Sequence, residues 1–176
     1  MTPGDEMSLV SRLFGFFGLG LFLSLFAGFS QSVVAAELRF TVYNKIMSSA
    51  NISPSGSSQR QMGDGFAAHM NVYRTPDVEQ TPIGAGDFSL LITVPATTSN
   101  PVETRIYHAI FTFNSEDSIV VDGISVADMP DNWMNSTPSF RAVTGGTGKY
   151  RGAAGTAIFT RMDQNLFKMD LRFKTN

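Results

Sequence analysis

The chain has 176 residues, 13 basic and 15 acidic side chains for a formal net charge of −2, and no cysteine. The missing cysteine excludes disulfides, thiol catalysis and any cysteine-based metal site. A nearly balanced charge with no basic patch argues against nucleic acid as a partner.

From the N-terminus, Leu13 to Phe29 reads LFGFFGLGLFLSLFAGF, uncharged, with Ser24 its one polar side chain and Arg12 just before it. Ser30, Gln31 and Ser32 follow, then Val34-Ala35-Ala36 ahead of Glu37. An apolar run ending in small residues is the pattern of a signal helix, so residues 1–36 are expected to be a signal peptide cleaved after Ala36. The protein is then expected to be secreted or periplasmic, with residues 37–176 as its one domain. The run is also at the short end of a spanning helix, and a retained membrane anchor is the alternative. Membrane contact is expected only through this segment. About 140 residues bury roughly two-thirds of their unfolded surface, enough for a core without disulfides.

Beyond Ala36 the apolar period is two. Leu38, Phe40 and Val42 alternate with Arg39, Thr41 and Tyr43. Further strands are expected over Gly65 to Tyr73, Asp87 to Val94, Thr104 to Phe113, Ser118 to Val126, Ser139 to Thr144 and Gly155 to Arg161. The last, Leu166 to Lys174, is the clearest: Phe167, Met169, Leu171 and Phe173 point one way, Lys168, Asp170, Arg172 and Lys174 the other. Turn formers separate the runs, among them Ser53-Pro54-Ser55-Gly56, Thr75-Pro76-Asp77 and Asn114-Ser115-Glu116-Asp117. Eight short strands without an amphipathic helix read as a sandwich or a closed barrel. A closed eight-stranded sheet has no free edges, and its lumen is filled by side chains or holds one small ligand.

Residues 142–155, AVTGGTGKYRGAAG, pose the one motif question. A phosphate loop of the form G-x-x-x-x-G-K-[ST] needs a glycine where Val143 stands and a hydroxyl residue where Tyr150 stands. A dinucleotide fingerprint needs a glycine at Arg151 and a following helix, whereas Thr156 to Arg161 is strand-like. The stretch therefore reads as a hairpin in which Gly145 to Gly148 take the positive φ angles of a tight loop.

The string F-x-A-V-T-G-G-T-G-K-Y-x-G-A-x-G, from Phe140 onward, resembles the hallmark of the allene oxide cyclase and dirigent protein superfamily. Phe111 to Gly123 resembles the strand pair before that hallmark, and the segment from Asn165 through Phe173 resembles the closing strand. The resemblance covers about residues 37–176. It implies an all-β, eight-stranded antiparallel closed β-barrel, lipocalin-like in outline, behind the N-terminal signal helix. It also implies a cofactor-free cyclase or isomerase, or a dirigent-like protein controlling stereochemistry, acting on a hydrophobic small molecule held in the lumen. Such a lumen works as an entropy trap, fixing a flexible substrate in one conformer before it reacts. Family members are often trimers, so a homo-oligomer is implied.

In site residues, the resemblance puts Asn44 at the asparagine of the cyclase site and Ser53 with Pro54 at its Ser-Pro pair, as catalytic candidates. The acidic position two before the asparagine is Val42, and Ser89 is the nearest equivalent of a lumen cysteine. Ligand-binding candidates are Ser89, Arg141, Tyr107 and Trp133. Arg141 faces the lumen and holds an anionic group, or lies on the surface; Trp133 caps the barrel mouth or anchors its loop. Asp87 reads as a lumen acid or a strand-edge aspartate. His69 and His108 read as a metal pair or base, or as satisfied or solvent-facing histidines, and no metal is expected. The departures at Val42 and at the cysteine carry the alternative function, a noncatalytic lipid- or hydrophobe-binding or envelope protein on the same barrel.

Overall fold

The computed structural model describes residues 37–57, 59–128 and 138–175. The expected signal helix and Trp133 lie outside them.

Eight strands run β1 Glu37–Ile52, β2 Gly65–Tyr73, β3 Gly84–Val94, β4 Val102–Thr112, β5 Ser118–Asp128, β6 Ser139–Gly146, β7 Ala154–Arg161 and β8 Leu166–Lys174. Each pairs antiparallel with its neighbours in sequence, and β8 returns to β1, with Glu37 opposite Lys174 and Lys45 opposite Leu166. The sheet is a closed barrel, as the resemblance implies. Alternation produces it: Tyr107, Ala109 and Phe111 of β4 are buried while Ile106, His108 and Ile110 are exposed. No helix among the described residues is long and apolar enough to cross a membrane.

The largest difference from expectation is β1. It continues nine residues past Tyr43, to Ile52. Between Ile46 and Ser48 its pairing to β2 slips by one residue, so the two sides of the strand exchange faces. β8 pairs β1 only up to Lys45, and Met47 to Ile52 are exposed on both sides. A ribbon with both faces wet has no hydrophobic alternation to read.

The glycine stretch closes one end of the barrel. β6 ends at Gly146, a short 3-10 turn follows over Gly148–Tyr150, and β7 starts at Ala154. Of Gly145 to Gly148, only Gly148 has positive φ, at 56°. Gly146 is extended and serves by lacking a side chain, since a Cβ there would sit 2.6 Å from the Ser118 carbonyl oxygen. The Lys149 backbone N–H and ammonium both reach the Asp117 carboxylate, at 3.0 Å each, tying this turn to the β4–β5 loop. Tyr150 is buried as a plug, its ring 6.1, 5.5 and 5.8 Å from those of Phe40, Phe113 and Phe173. Above this aromatic floor lie Val42, Ala109, Phe111, Ile119, Val121 and Met169, each at most 2 % exposed. The lysine that a nucleotide enzyme would turn to phosphate here closes a loop.

Candidate functional site in the upper lumen

Among the described residues, the buried polar side chains of the lumen lie in the half away from the Tyr150 floor. On β1, Asn44 follows Val42 on the inner face and is fully buried. Its amide nitrogen and oxygen both lack a hydrogen-bond partner in the protein. Such groups are rare, because each leaves the cost of desolvation uncompensated. On β6, Arg141 points inward and is 4 % exposed. Its Nη1 donates to the Ser139 hydroxyl at 3.1 Å, and its Nε has no partner. The guanidinium carbon lies 4.0 Å from the ring centre of Tyr107 and 4.5 Å from that of Phe159, both favourable cation–π placements. Gly123 of β5 makes room for it: a Cβ there would stand 3.2 Å from Arg141 Cγ. Burial pulls the Arg141 pKa down, against a smaller opposing effect of Tyr107, and pushes the Tyr107 hydroxyl far above its ordinary range.

These groups meet around a cavity of about 30 Å³, whose wall includes Asn44, Tyr107, Ser125 and Arg141 with apolar Met70, Phe88 and Phe167. That is the space of about one water, against the several hundred Å³ of ligand pockets. The lumen is thus largely filled by side chains, and a ligand enters only by displacing some of them.

At the rim sits a buried ion cluster. Arg105 Nε donates to Glu103 Oε1, with both side chains 1 % exposed, and Arg60 Nη1 donates to the same oxygen at 3.1 Å. Glu103 Oε2 is buried without a partner. Desolvation lowers the Arg105 pKa, and Glu103 opposes it. Glu103 and Arg105 are not singled out in the sequence, although a signal exists. In VETRIYHAIF they share the period-two face of Tyr107, Ala109 and Phe111.

The remaining candidates divide. Asn44, Tyr107 and Arg141 come together in the lumen. Ser53 and Pro54 do not: they are exposed in the turn after β1, and Ser53 lies roughly 30 Å along the extended chain from Asn44. Ser89 is exposed on the outer wall, because β3 turns Phe88, Leu90 and Ile92 inward. Asp87 is outside too, which removes it as a lumen acid.

That outer wall carries an open concavity of about 490 Å³ over β2, β3 and β4 and the end of β1. Its lining includes His69, Asp87 and His108, and two cross-strand pairs form there and at its edge: His69 Nδ1 with Asp87 Oδ1 at 2.8 Å, and His108 Nδ1 with Asp122 Oδ1 at 2.6 Å. Thr144 donates its hydroxyl to the other Asp122 oxygen. Burial pushes the Asp122 pKa up, but the bonds from Thr144 and His108 together bring it below the usual carboxylate range. The two histidines are solvent-facing. Among the described residues, no group of three or more acidic or histidine side chains could hold a metal ion. The outer polar groups satisfy one another in water, whereas Asn44 and Arg141 are dry and incompletely bonded. Size favours the outer concavity, but unmet hydrogen-bonding capacity favours the lumen, and that is the stronger pointer to a ligand.

No known family profile matches the chain, and no curated protein matches it in sequence. Solved structures do match in fold. A pyocyanin demethylase aligns with a TM-score of 0.59 at 17 % identity, over 78 % of this chain and 100 % of its own. A pterocarpan synthase dirigent protein aligns with a TM-score of 0.59 at 13 % identity, over 85 % of this chain and 97 % of its own. A nonspecific heme-binding cyclase, which catalyses a 4 + 2 cycloaddition during neoabyssomicin biosynthesis, aligns at 0.59 and 15 % identity, over 99 % of this chain and 81 % of its own. At such identities the likeness is one of fold, a barrel of the kind that the resemblance of the hallmark implies.

Proposed function

On this allene oxide cyclase/dirigent-like barrel, we propose that the upper lumen takes up a hydrophobic small molecule and, without a cofactor, steers its cyclisation, isomerisation or coupling. The observation that carries the reading is Asn44, a fully buried amide with both polar atoms unpartnered, on a largely apolar wall that it shares with Tyr107, Ser125 and Arg141. An amide can donate to and accept from a bound oxygen function, and in a dry site such a bond strengthens as charge develops on that oxygen. The apolar walls hold the rest of the molecule in one conformer. Neighbours in fold include dirigent and cyclase barrels, which supports the same kind of chemistry.

Export belongs to the proposal and is supported by the apolar run Leu13 to Phe29 and the small residues before Glu37. Native mass spectrometry of the protein purified from its own host reads the leader, the assembly size and any retained ligand together. A mature mass starting at Glu37 with a retained small molecule, lost in Asn44→Ala while the barrel remains folded, is the expected result. Retention unaffected by Asn44→Ala refutes the site. The second reading, a noncatalytic binding or envelope protein, is favoured by the 30 Å³ cavity and by Val42 at the acidic position. Turnover of the retained compound separates the two: conversion abolished in Asn44→Ala supports catalysis, and retention without conversion supports the carrier.

A further inference from the structure

Arg141 stands out because no acidic side chain among the described residues pairs with it. A guanidinium does not escape burial by losing its proton, as a lysine can. Among the described residues Arg141 has no acidic partner, and the buried carboxylate at the rim, Glu103, is already bonded by Arg60 and Arg105. Two aromatic faces and the Ser139 hydroxyl hold the guanidinium in place. The Ser139 bond uses Nη1, which leaves the other edge, led by the buried and unpartnered Nε, without a bond in a residue that lines the small cavity. That edge of a guanidinium takes a carboxylate or a similar two-oxygen anion through two parallel hydrogen bonds. The amide of Asn44 lines the same small cavity.

From this geometry we infer that the ligand is an anion: a flat or chain-like apolar body bearing a carboxylate, or an acidic oxygen pair of similar shape, seated on the free edge of Arg141. The inference rests on the lumen reading above and adds the head group that the site selects. Entry of the anion supplies a counter-charge, and the apolar body takes the place of side chains on the cavity wall such as Met70 and Phe88. The guanidinium orients the molecule and leaves Asn44 to meet a second oxygen function.

The test uses the barrel with benzoate and benzamide, two probes alike in size and shape and different in charge. Calorimetry reads the affinities, and two-dimensional amide NMR reads where each probe acts. Benzoate is expected to bind about tenfold tighter than benzamide and to shift the Asn44 side-chain amide signals. Arg141→Met removes that preference. Arg141→Lys keeps the charge without the fork and retains only part of the preference. The spectra of both variants serve as controls for folding. Equal affinity for the two probes overturns the inference and leaves the lumen reading standing. So does a preference for benzoate that persists in Arg141→Met, whereas shifts confined to the His69 and His108 wall overturn the inference and the lumen reading together. Failure of both probes to bind overturns the inference and the lumen reading together.

Discussion

Replacing Asn44 by leucine should make the barrel more stable and useless. Asn44 is fully buried, and neither its amide nitrogen nor its oxygen has a partner in the protein. Each unsatisfied buried group costs about 1–3 kcal/mol, whereas an apolar side chain of similar volume removes that cost. Leucine would face Met70 and Phe167 across the small cavity and need little rearrangement. After allowing for imperfect packing, a net gain of about 2–4 kcal/mol is expected. For a domain of this size that corresponds to a rise of roughly 6–12 °C in the melting midpoint. Urea unfolding followed by far-ultraviolet circular dichroism measures it, with Val42→Ala as the control. Val42 is the preceding inward position, 2 % exposed, and its truncation should cost about 1–3 kcal/mol. A loss of stability in Asn44→Leu comparable to that of Val42→Ala would mean that the amide is satisfied in the resting protein, and the reasoning would fail. Retained ligand binding in a stabilised Asn44→Leu barrel would equally refute Asn44 as a ligand group.

Four further outcomes follow from the floor, the core and the outer face. Hydrogen bonds from Lys149 and Asn114 hold the Asp117 carboxyl down at about 2. Its stabilising effect is therefore complete above the ordinary carboxylate range and lost as pH falls through that range toward 2. Urea midpoints measured from pH 5 to 2 should fall less steeply in Asp117→Asn than in the native chain, and parallel slopes would contradict the assignment. Gly148→Ala places a Cβ at φ 56°, against Asp117 and the Glu116 carbonyl, and should destabilise by about 1–2 kcal/mol or more; an unchanged urea midpoint would count against the turn geometry. Phe111→Ala empties a fully buried position and should cost about 3–5 kcal/mol by the same measurement. Phe140→Ser on the exposed outer face should change stability by less than about 0.5 kcal/mol, and a large loss there would place that face in a contact.

Most of the barrel is legible in the residues because burial on one side of a strand writes itself as a period of two. LFKMDLRFK states β8, both its faces and its limits. The same parity puts Asn44 beside Val42, and Arg141 beside Val143, on the inner face. It also puts Ser89 outside, opposite in phase to Phe88 and Leu90; carrying a lumen role onto Ser89 by family position set that parity aside, and the strand kept it. Closure as a barrel came from the hallmark, since alternation by itself fits a sandwich equally well. What alternation cannot express is which distant side chains meet. The pairing of His69 with Asp87, of His108 with Asp122, and of Lys149 with Asp117 depends on cross-strand register and loop docking. The β1 extension is silent for the converse reason, having water on both faces. Whether a buried polar group is satisfied is a property of three-dimensional neighbours, so only the folded barrel shows that Glu103 has its cations while Asn44 and Arg141 are left with bonds to make. The identity of the inward residues is local information, and the balance of charge and hydrogen bonds among them belongs to the closed sheet as a whole.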